Sequence, residues 1–325
     1  MIAYIIRRLL YAVPILIGVN LITFSLFFFV NGPDDMARIH LGLKRVTPEA
    51  VEKWKAARGY DKPILFNAGA TGTAKLTDTI FYKHSVSLFR FDFGESDQGR
   101  NIGQDIRERM WPSLVIALPT FLIGVLVNIT FGMVLAFFRG MYLDTWGVVV
   151  CVIFMSVSLL FYVIGGQFLI SKLLRLVPIS GYDDGWNALK FVILPVVVGV
   201  VSSIGSSTRL YRTFFLEEIN KDYVRTARAK GLSEIAVLFK HVLKNAMIPI
   251  LTGVVVVIPL LFIGSLIMES FFGIPGLGSY TIDAINGQDF AVVRAMVFLG
   301  SVLYIIGLIL TDLSYTVVDP RVRLD

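Results

Sequence analysis

Six stretches of about twenty residues pass through this chain almost free of charge, and no other feature restricts its fold so strongly. They run from Leu9 to Val30, Ser113 to Phe138, Trp146 to Ile170, Leu189 to Leu210, Met247 to Met268 and Ala291 to Leu310. A helix needs roughly 20 apolar residues to cross about 30 Å of hydrocarbon, and it satisfies its own backbone groups there. The chain of 325 residues is 55% hydrophobic and 17% charged, whereas soluble domains carry about 25% charge, so water is not its main solvent. The expected fold is all-α and integral to the membrane, a six-helix transmembrane bundle. Pro119, Pro195 and Pro259, with Gly124 and Gly199, are expected to kink helices rather than end them.

The net charge of +6 does not point to nucleic acid, because the basic residues flank apolar runs instead of lining one soluble face. They report topology. Arg7 and Arg8, Arg139, the stretch from Arg209 to Lys244, and Arg321 and Arg323 fall on one side, which the positive-inside rule assigns to the cytoplasm together with both termini. Lys172, Arg175 and Lys190 stand on the other side, and Phe271 to Phe290 has no Lys or Arg. Cys151 is the only cysteine, which excludes a disulfide within the chain and a thiolate metal cluster. The three histidines are scattered, and no metal site is expected. The first run exceeds the roughly 7–15 residues of a leader's apolar core and no small-residue cleavage pattern follows, so residues 1–30 read as a retained first helix.

Residues 31–112 form a polar segment of mixed charge, expected to be external, and residues 113–325 form a five-helix core. Within the external segment, Thr47-Pro48-Glu49 has the order of a helix start, with a capping hydroxyl, a first-turn proline and an acid for the helix dipole. Gly59 and Pro63 should end that helix. A flexible turn is expected over 68–73, and 103–110 reads as a short amphipathic approach to the second span.

The segment 211–246 between the fourth and fifth runs is the most informative. Ala227 and Ala229 favour helix, Gly231 suits the left-handed turn that ends one, and Ser233 can cap the next. In that second helix Ile235, Leu238, Phe239 and Val242 recur at helical spacing and predict one apolar face opposite Lys240 and Lys244. On physics alone this polar protrusion suits an interfacial anchor as well as a protein contact.

The pattern of Asp222, Tyr223, Thr226, Ala227, Arg228, Ala229, Lys230, Gly231 and Leu232, followed by Ile248-Pro249, resembles the E-A-A-x-x-x-G coupling loop of ABC importer permeases. Asp222 stands where Glu is usual. Four further motifs resemble the dipeptide and oligopeptide permease group in the same order: Ile5-Ile6-Arg7-Arg8-Leu9-Leu10, Phe91-Asp92-Phe93-Gly94-Glu95-Ser96, Gly273-Ile274-Pro275-Gly276-Leu277-Gly278, and Asp319-Pro320-Arg321-Val322-Arg323. The resemblance covers nearly the whole chain, although the external segment is long for the group. It implies a type I ABC importer fold, location in the cytoplasmic (inner) membrane, and a coupling helix that docks on a cytoplasmic ATPase. It also implies the partners: a second homologous permease, two ATPase subunits that use ATP and Mg, and an external solute-binding protein. The chain itself has no G-x-x-x-x-G-K-[ST] loop, so it is expected to bind no cofactor and to hydrolyse no ATP.

Asn128, Ser202, Ser203 and Ser206 are the polar side chains expected to line a translocation path, with close helix packing as the competing role for the serines. Glu269 and Asp312 are expected to face headgroups or pair with a neighbour, and the 273–278 loop to be a tight turn. A secondary transporter or channel is the alternative class, and central intramembrane charges or broken helices would favour it.

Overall fold

The computed structural model describes residues 2–30, 32–42, 46–183 and 185–318. The terminal Asp319–Arg323 motif lies outside the described residues. Among the described residues fourteen α-helices follow in order: α1 (Ile2–Ser25), α2 (Pro33–Leu41), α3 (Pro48–Arg58), α4 (Ala74–Thr77), α5 (Ile102–Phe137), α6 (Tyr142–Ser156), α7 (Leu159–Gly166), α8 (Ala188–Ile219), α9 (Asp222–Ala229), α10 (Glu234–Val237), α11 (Lys244–Val257), α12 (Leu266–Phe272), α13 (Leu277–Asn286) and α14 (Phe290–Val318). Among the described residues there is no β-strand, only a single bridge between Glu95 and Asn101.

Among the described residues five stretches are long and apolar enough to cross a membrane, Ile6–Val30, Ile102–Phe137, Gly185–Ile219, Glu234–Phe262 and Phe290–Ser314. The third expected span, Trp146 to Ile170, is broken: α6 and Leu159–Leu173 meet at 91°. The chain turns extended at Val157 and Ser158, and the Tyr162 hydroxyl donates to the Phe154 carbonyl at 2.7 Å, satisfying an acceptor that the interrupted helix leaves behind. The fifth span likewise ends short of Met268, because Gly264 at φ +74° separates it from α12. Conversely, 103–110 is no separate approach helix but the first two turns of α5, which continues through Pro112 and Pro119.

The chain folds as two compact units. The first holds the described residues of Met1–Arg109 with Tyr280–Ile305. Its core joins the end of the first span to the segment that follows: Phe24, Phe28, Met36, Ala37, Val51, Trp54, Tyr60 and Ile80 pack together. The expected α3 boundaries hold, since the Thr47 hydroxyl accepts from Ala50 N and Gly59 closes the helix at φ +68°. Part of the turn expected over 68–73 leads into the single turn α4.

The second unit holds the described residues of Met110–Ser279 and Ile306–Asp325. Small residues let its helices approach closely. A Cβ on Gly205 of α8 would stand 2.6 Å from Cys151 O and Met155 N of α6, and one on Gly132 of α5 3.0 Å from Arg212 N of α8. Without a solvent-driven hydrophobic effect between lipid-bathed helices, such contact is what holds them together. One charged pair reinforces it: Arg212 Nε and Nη2 donate to Asp144 Oδ1 and Oδ2 at 2.7 and 2.8 Å.

Candidate functional site

Two features of the second unit can carry function, an exposed helical protrusion and an internal cavity. The protrusion is α9. Val224 and Ala227 are buried and every other residue of this helix is exposed, so its roughly two turns present their polar side outward. Asp222 lies in the first turn and pairs with Arg225, and Thr226 Oγ1 donates to Asp222 O at 3.0 Å. The Tyr223 hydroxyl donates to Glu218, and desolvation with that carboxylate pushes its pKa up to about 12. Arg228 reaches past the turn to Glu234 with two bonds of 2.8 and 3.0 Å. Ala229 is exposed and Lys230 forms the C-cap.

The turn is closed by Gly231 N donating to Arg228 O at 2.9 Å and Leu232 N to Ala227 O at 3.4 Å, with Gly231 at φ +81°. Ser233 then caps α10, accepting from Ala236 N. The predicted helix, glycine turn and capped second helix are therefore all present. The predicted apolar face is present in part: Leu238 and Val242 are buried and Lys240 and Lys244 exposed as expected, but Ile235 and Phe239 are not in the core. Ile235 and Phe239 are 66% and 53% exposed, while Val237, Leu238, Val242, Ala246 and Ile250 are buried. A π-helical turn over Leu238–Leu243 explains the shift. Its extra residue turns the stripe so that burial follows 237, 242, 246 and 250 instead of the α-helical spacing.

Those buried residues form one cluster with Met133, Ala136, Phe215, Ile219, Val224 and Ala227. The protrusion is thus fixed into the ends of α8 and α11 and the last turns of α5.

The cavity measures about 450 Å³ and takes its walls from α5, α8 and α11, with Asn128, Ser202 and Ser203 among them. Asn128, 3% exposed, is bonded on both sides: its Nδ2 donates to Ser203 Oγ at 3.0 Å and its Oδ1 accepts from Thr208 Oγ1 at 3.0 Å. It therefore clamps α5 to α8 as well as lining the cavity. Ser202 and Ser203 return their hydroxyls to Gly199 O and Val200 O at 2.9 and 2.7 Å. Ser206 does not join them; it lines a separate pocket with Arg209 and Arg212.

Glu269 is the one ionisable acid or base in the lining among the described residues, and it is 1% exposed rather than at a headgroup. Its two oxygens accept from Ser265 N and Ser279 N at 3.1 and 3.0 Å, while Ser113 Oγ accepts from Leu277 N at 2.8 Å. The 273–278 loop is consequently a buried turn tied around a carboxylate. A Cβ on Gly276 would fall 2.3 Å from Glu269 Oε2, which is why glycine stands there. The sequence offered no periodic signal for this knot, nor for the Asp144–Arg212 pair, because each joins residues remote in the chain.

A polytopic helical protein with an interior cavity, and an exposed helix seated on the helices that wall it, has an architecture that suits a transport permease. The chain belongs to the family of binding-protein-dependent transport system inner membrane components, whose model matches residues 128–324; the model of that family's N-terminal region matches residues 1–69. It is 34% identical, over the full length of both proteins, to a protein of Brucella abortus (strain 2308) provisionally named a peptide transport system permease. It is 30% identical to the dipeptide transport system permease protein DppB of Bacillus subtilis (strain 168), covering 99% of this chain and 98% of the relative. The oligopeptide transport system permease protein AppB of the same strain is 28% identical over 99% of this chain and all of the relative. The family is a non-catalytic multi-pass component of the inner membrane, and ATP hydrolysis lies in separate subunits.

Proposed function

We propose that this chain is the permease subunit of an ATP-driven importer of peptides, providing half of the translocation path and the lever that moves it. One observation carries the reading. Val224 and Ala227 seat α9 in the same cluster that holds Phe215 and Ile219 of α8 and Ala246 and Ile250 of α11, and these two long helices also supply Ser202, Ser203, Val254 and Val257 to the cavity wall. Close-packed side chains transmit a displacement instead of absorbing it. A push on α9 therefore reaches the cavity.

In this mechanism two cytoplasmic ATPase subunits, closing on ATP and Mg, move α9 of this chain and the matching helix of a second permease. The cavity then switches its opening from one membrane face to the other. Asp222, Tyr223, Thr226, Arg228, Ala229, Lys230, Gly231 and Leu232 form the docking surface and its turn, and Asn128, Ser202 and Ser203 line the path. Both termini and α9 lie in the cytoplasm, and a solute-binding protein delivers its load on the opposite side. The peptide class is supported by the names of the relatives and by a lining in which, among the described residues, the one carboxyl group, Glu269, is already committed to backbone donors.

The test is purification of the chain from its native membrane in mild detergent, beside the variant Arg228→Glu. Recovery of an ATPase pair that the variant loses supports the reading. A lone chain that takes up peptides on an ion gradient without ATP refutes it and turns the assignment to a secondary transporter.

A further inference from the structure

One side of α8 is polar where a lipid-facing surface would be apolar. Ser206, Arg209, Thr213 and Glu217 are exposed and recur at three- and four-residue steps, so they share that side of the helix. Ser206, Arg209 and Thr213, with Arg212 and with Val148 and Met155 of α6, line a pocket of about 360 Å³. Ser206 stands one turn along α8 from Ser202 in the wall of the membrane cavity, and Glu217 stands at the end of α8 that anchors α9. Along α8 the pocket therefore lies between the cavity and the coupling helix.

The two cations of this pocket are not alike. Arg212 is engaged by both oxygens of Asp144. Arg209 is exposed, and among the described residues its guanidinium meets no carboxylate; its Nη1 approaches Met155 Sδ at 3.7 Å, a weak acceptor. Gly205, one turn earlier in α8, packs on Met155, so Arg209 reaches back along the helix, away from the Ile219 end. Met155 is the last residue but one of α6, and about 20 Å of helical rise separates it from Tyr142 at the helix start. The exposed Tyr142 and Trp146 suit the aromatic belt at a membrane surface. The charge is thus held inside a hydrocarbon layer about 30 Å thick. A lipid-facing arginine would extend toward the nearer helix end, whereas an ionisable group kept at depth faces a hydrated path or an opposite charge.

We infer that Arg209 is the station that holds the terminal carboxylate of a peptide moving from the membrane cavity to the cytoplasm, with the Ser206 hydroxyl beside it; this rests on the importer reading given above. Among the described residues the cavity lining offers no cation, and its one carboxyl group, Glu269, is bonded to backbone donors. The anionic end of a peptide therefore meets its unpaired positive charge at Arg209 and not in the cavity. Guanidinium takes a carboxylate through paired charge-assisted bonds in a fixed plane, and the pocket volume suits a terminal residue and no folded partner.

The test reconstitutes the whole complex, with its ATPases and solute-binding protein, in proteoliposomes and measures ATP-driven uptake of trialanine and of trialanine amide. Comparing variants on each solute cancels the binding protein's own preference between them. Arg209→Gln should lower trialanine uptake roughly tenfold, the loss of a charge-assisted pair, and leave amide uptake within about twofold; Arg209→Lys should restore part of the trialanine rate. Equal loss of both solutes or unchanged uptake of trialanine overturns the assignment. So does loss of the second permease from the purified Arg209→Gln complex, because Arg209 would then pair with a carboxylate of that partner. Uptake by the natural chain without ATP would refute the importer reading, and the contrast between acid and amide at Arg209 would still be read on that uptake.

Discussion

Replacing Gly231 by valine isolates the backbone contribution of the coupling turn. Gly231 holds φ +81°, and an added Cβ would meet no atom within 4 Å. The cost is therefore conformational and not steric. An L-residue in the left-handed region loses about 1–2 kcal/mol, and a β-branched one lies at the upper end. Against this stands the Arg228–Glu234 bridge across the turn, whose side chains are 38% and 55% exposed; exposed pairs contribute only about 0.2–1 kcal/mol, too little to hold the turn closed. The native turn should fall roughly tenfold in population. ATP-driven dipeptide uptake by the reconstituted complex should fall by a similar factor, while membrane insertion and the cavity survive. Gly231→Asn is the control, because asparagine tolerates the left-handed region, and it should keep uptake within about twofold of the natural chain. Wild-type uptake by the valine variant would refute the turn requirement. Equal damage by asparagine and valine would show that bulk at the docking surface matters instead of φ.

Arg212→Ala should destabilise the second unit by about 3–5 kcal/mol, because it strands Asp144, 6% exposed, without its cation; Asp144→Leu with Arg212→Leu should recover most of the melting temperature, and a single variant as stable as the parent would contradict this. Glu269→Gln turns one backbone-accepting oxygen into an N–H2 group facing Ser265 N or Ser279 N. Thermal unfolding in detergent should show a loss of about 1–3 kcal/mol, and an unchanged transition would mean that the knot is not bonded as described. Burial first, then Arg294 and Lys83, hold the His84 pKa down to about 3, against a backbone bond to Arg58 that acts the other way. The unfolded chain then binds a proton below pH ~6.5 that the folded one refuses, so stability should fall with acidification by about 1.4 kcal/mol per pH unit down to the folded value. Hydrogen exchange in the segment between the first two spans should report this slope, and His84→Gln should abolish it.

Apolar run length alone determined the class of this protein, because a bilayer accepts only chains that satisfy their own backbone, and about twenty uncharged residues in sequence are legible without a structure. The Thr47 cap, the Gly59 stop and the Gly231 turn were legible for a similar reason: each depends on dihedrals and bonds within four residues. The family motifs around Ala227 and Gly231 carried the functional reading further than periodicity could. The tertiary structure decided what depends on partners distant in the chain. The π-turn at Leu238–Leu243 exchanged Ile235 and Phe239 for Val237 and Ala246 in the core, and the break at Val157–Ser158 divided an uninterrupted apolar run. Of the two places expected for Glu269, at headgroups or against a neighbour, the fold chose the second, a knot of backbone donors, and Ser206 turned away from Ser202 and Ser203. Hydropathy records how much a residue gains by leaving water, but which neighbour receives it, and whether a buried Arg294 is left with an open N–H, is settled only where remote segments meet.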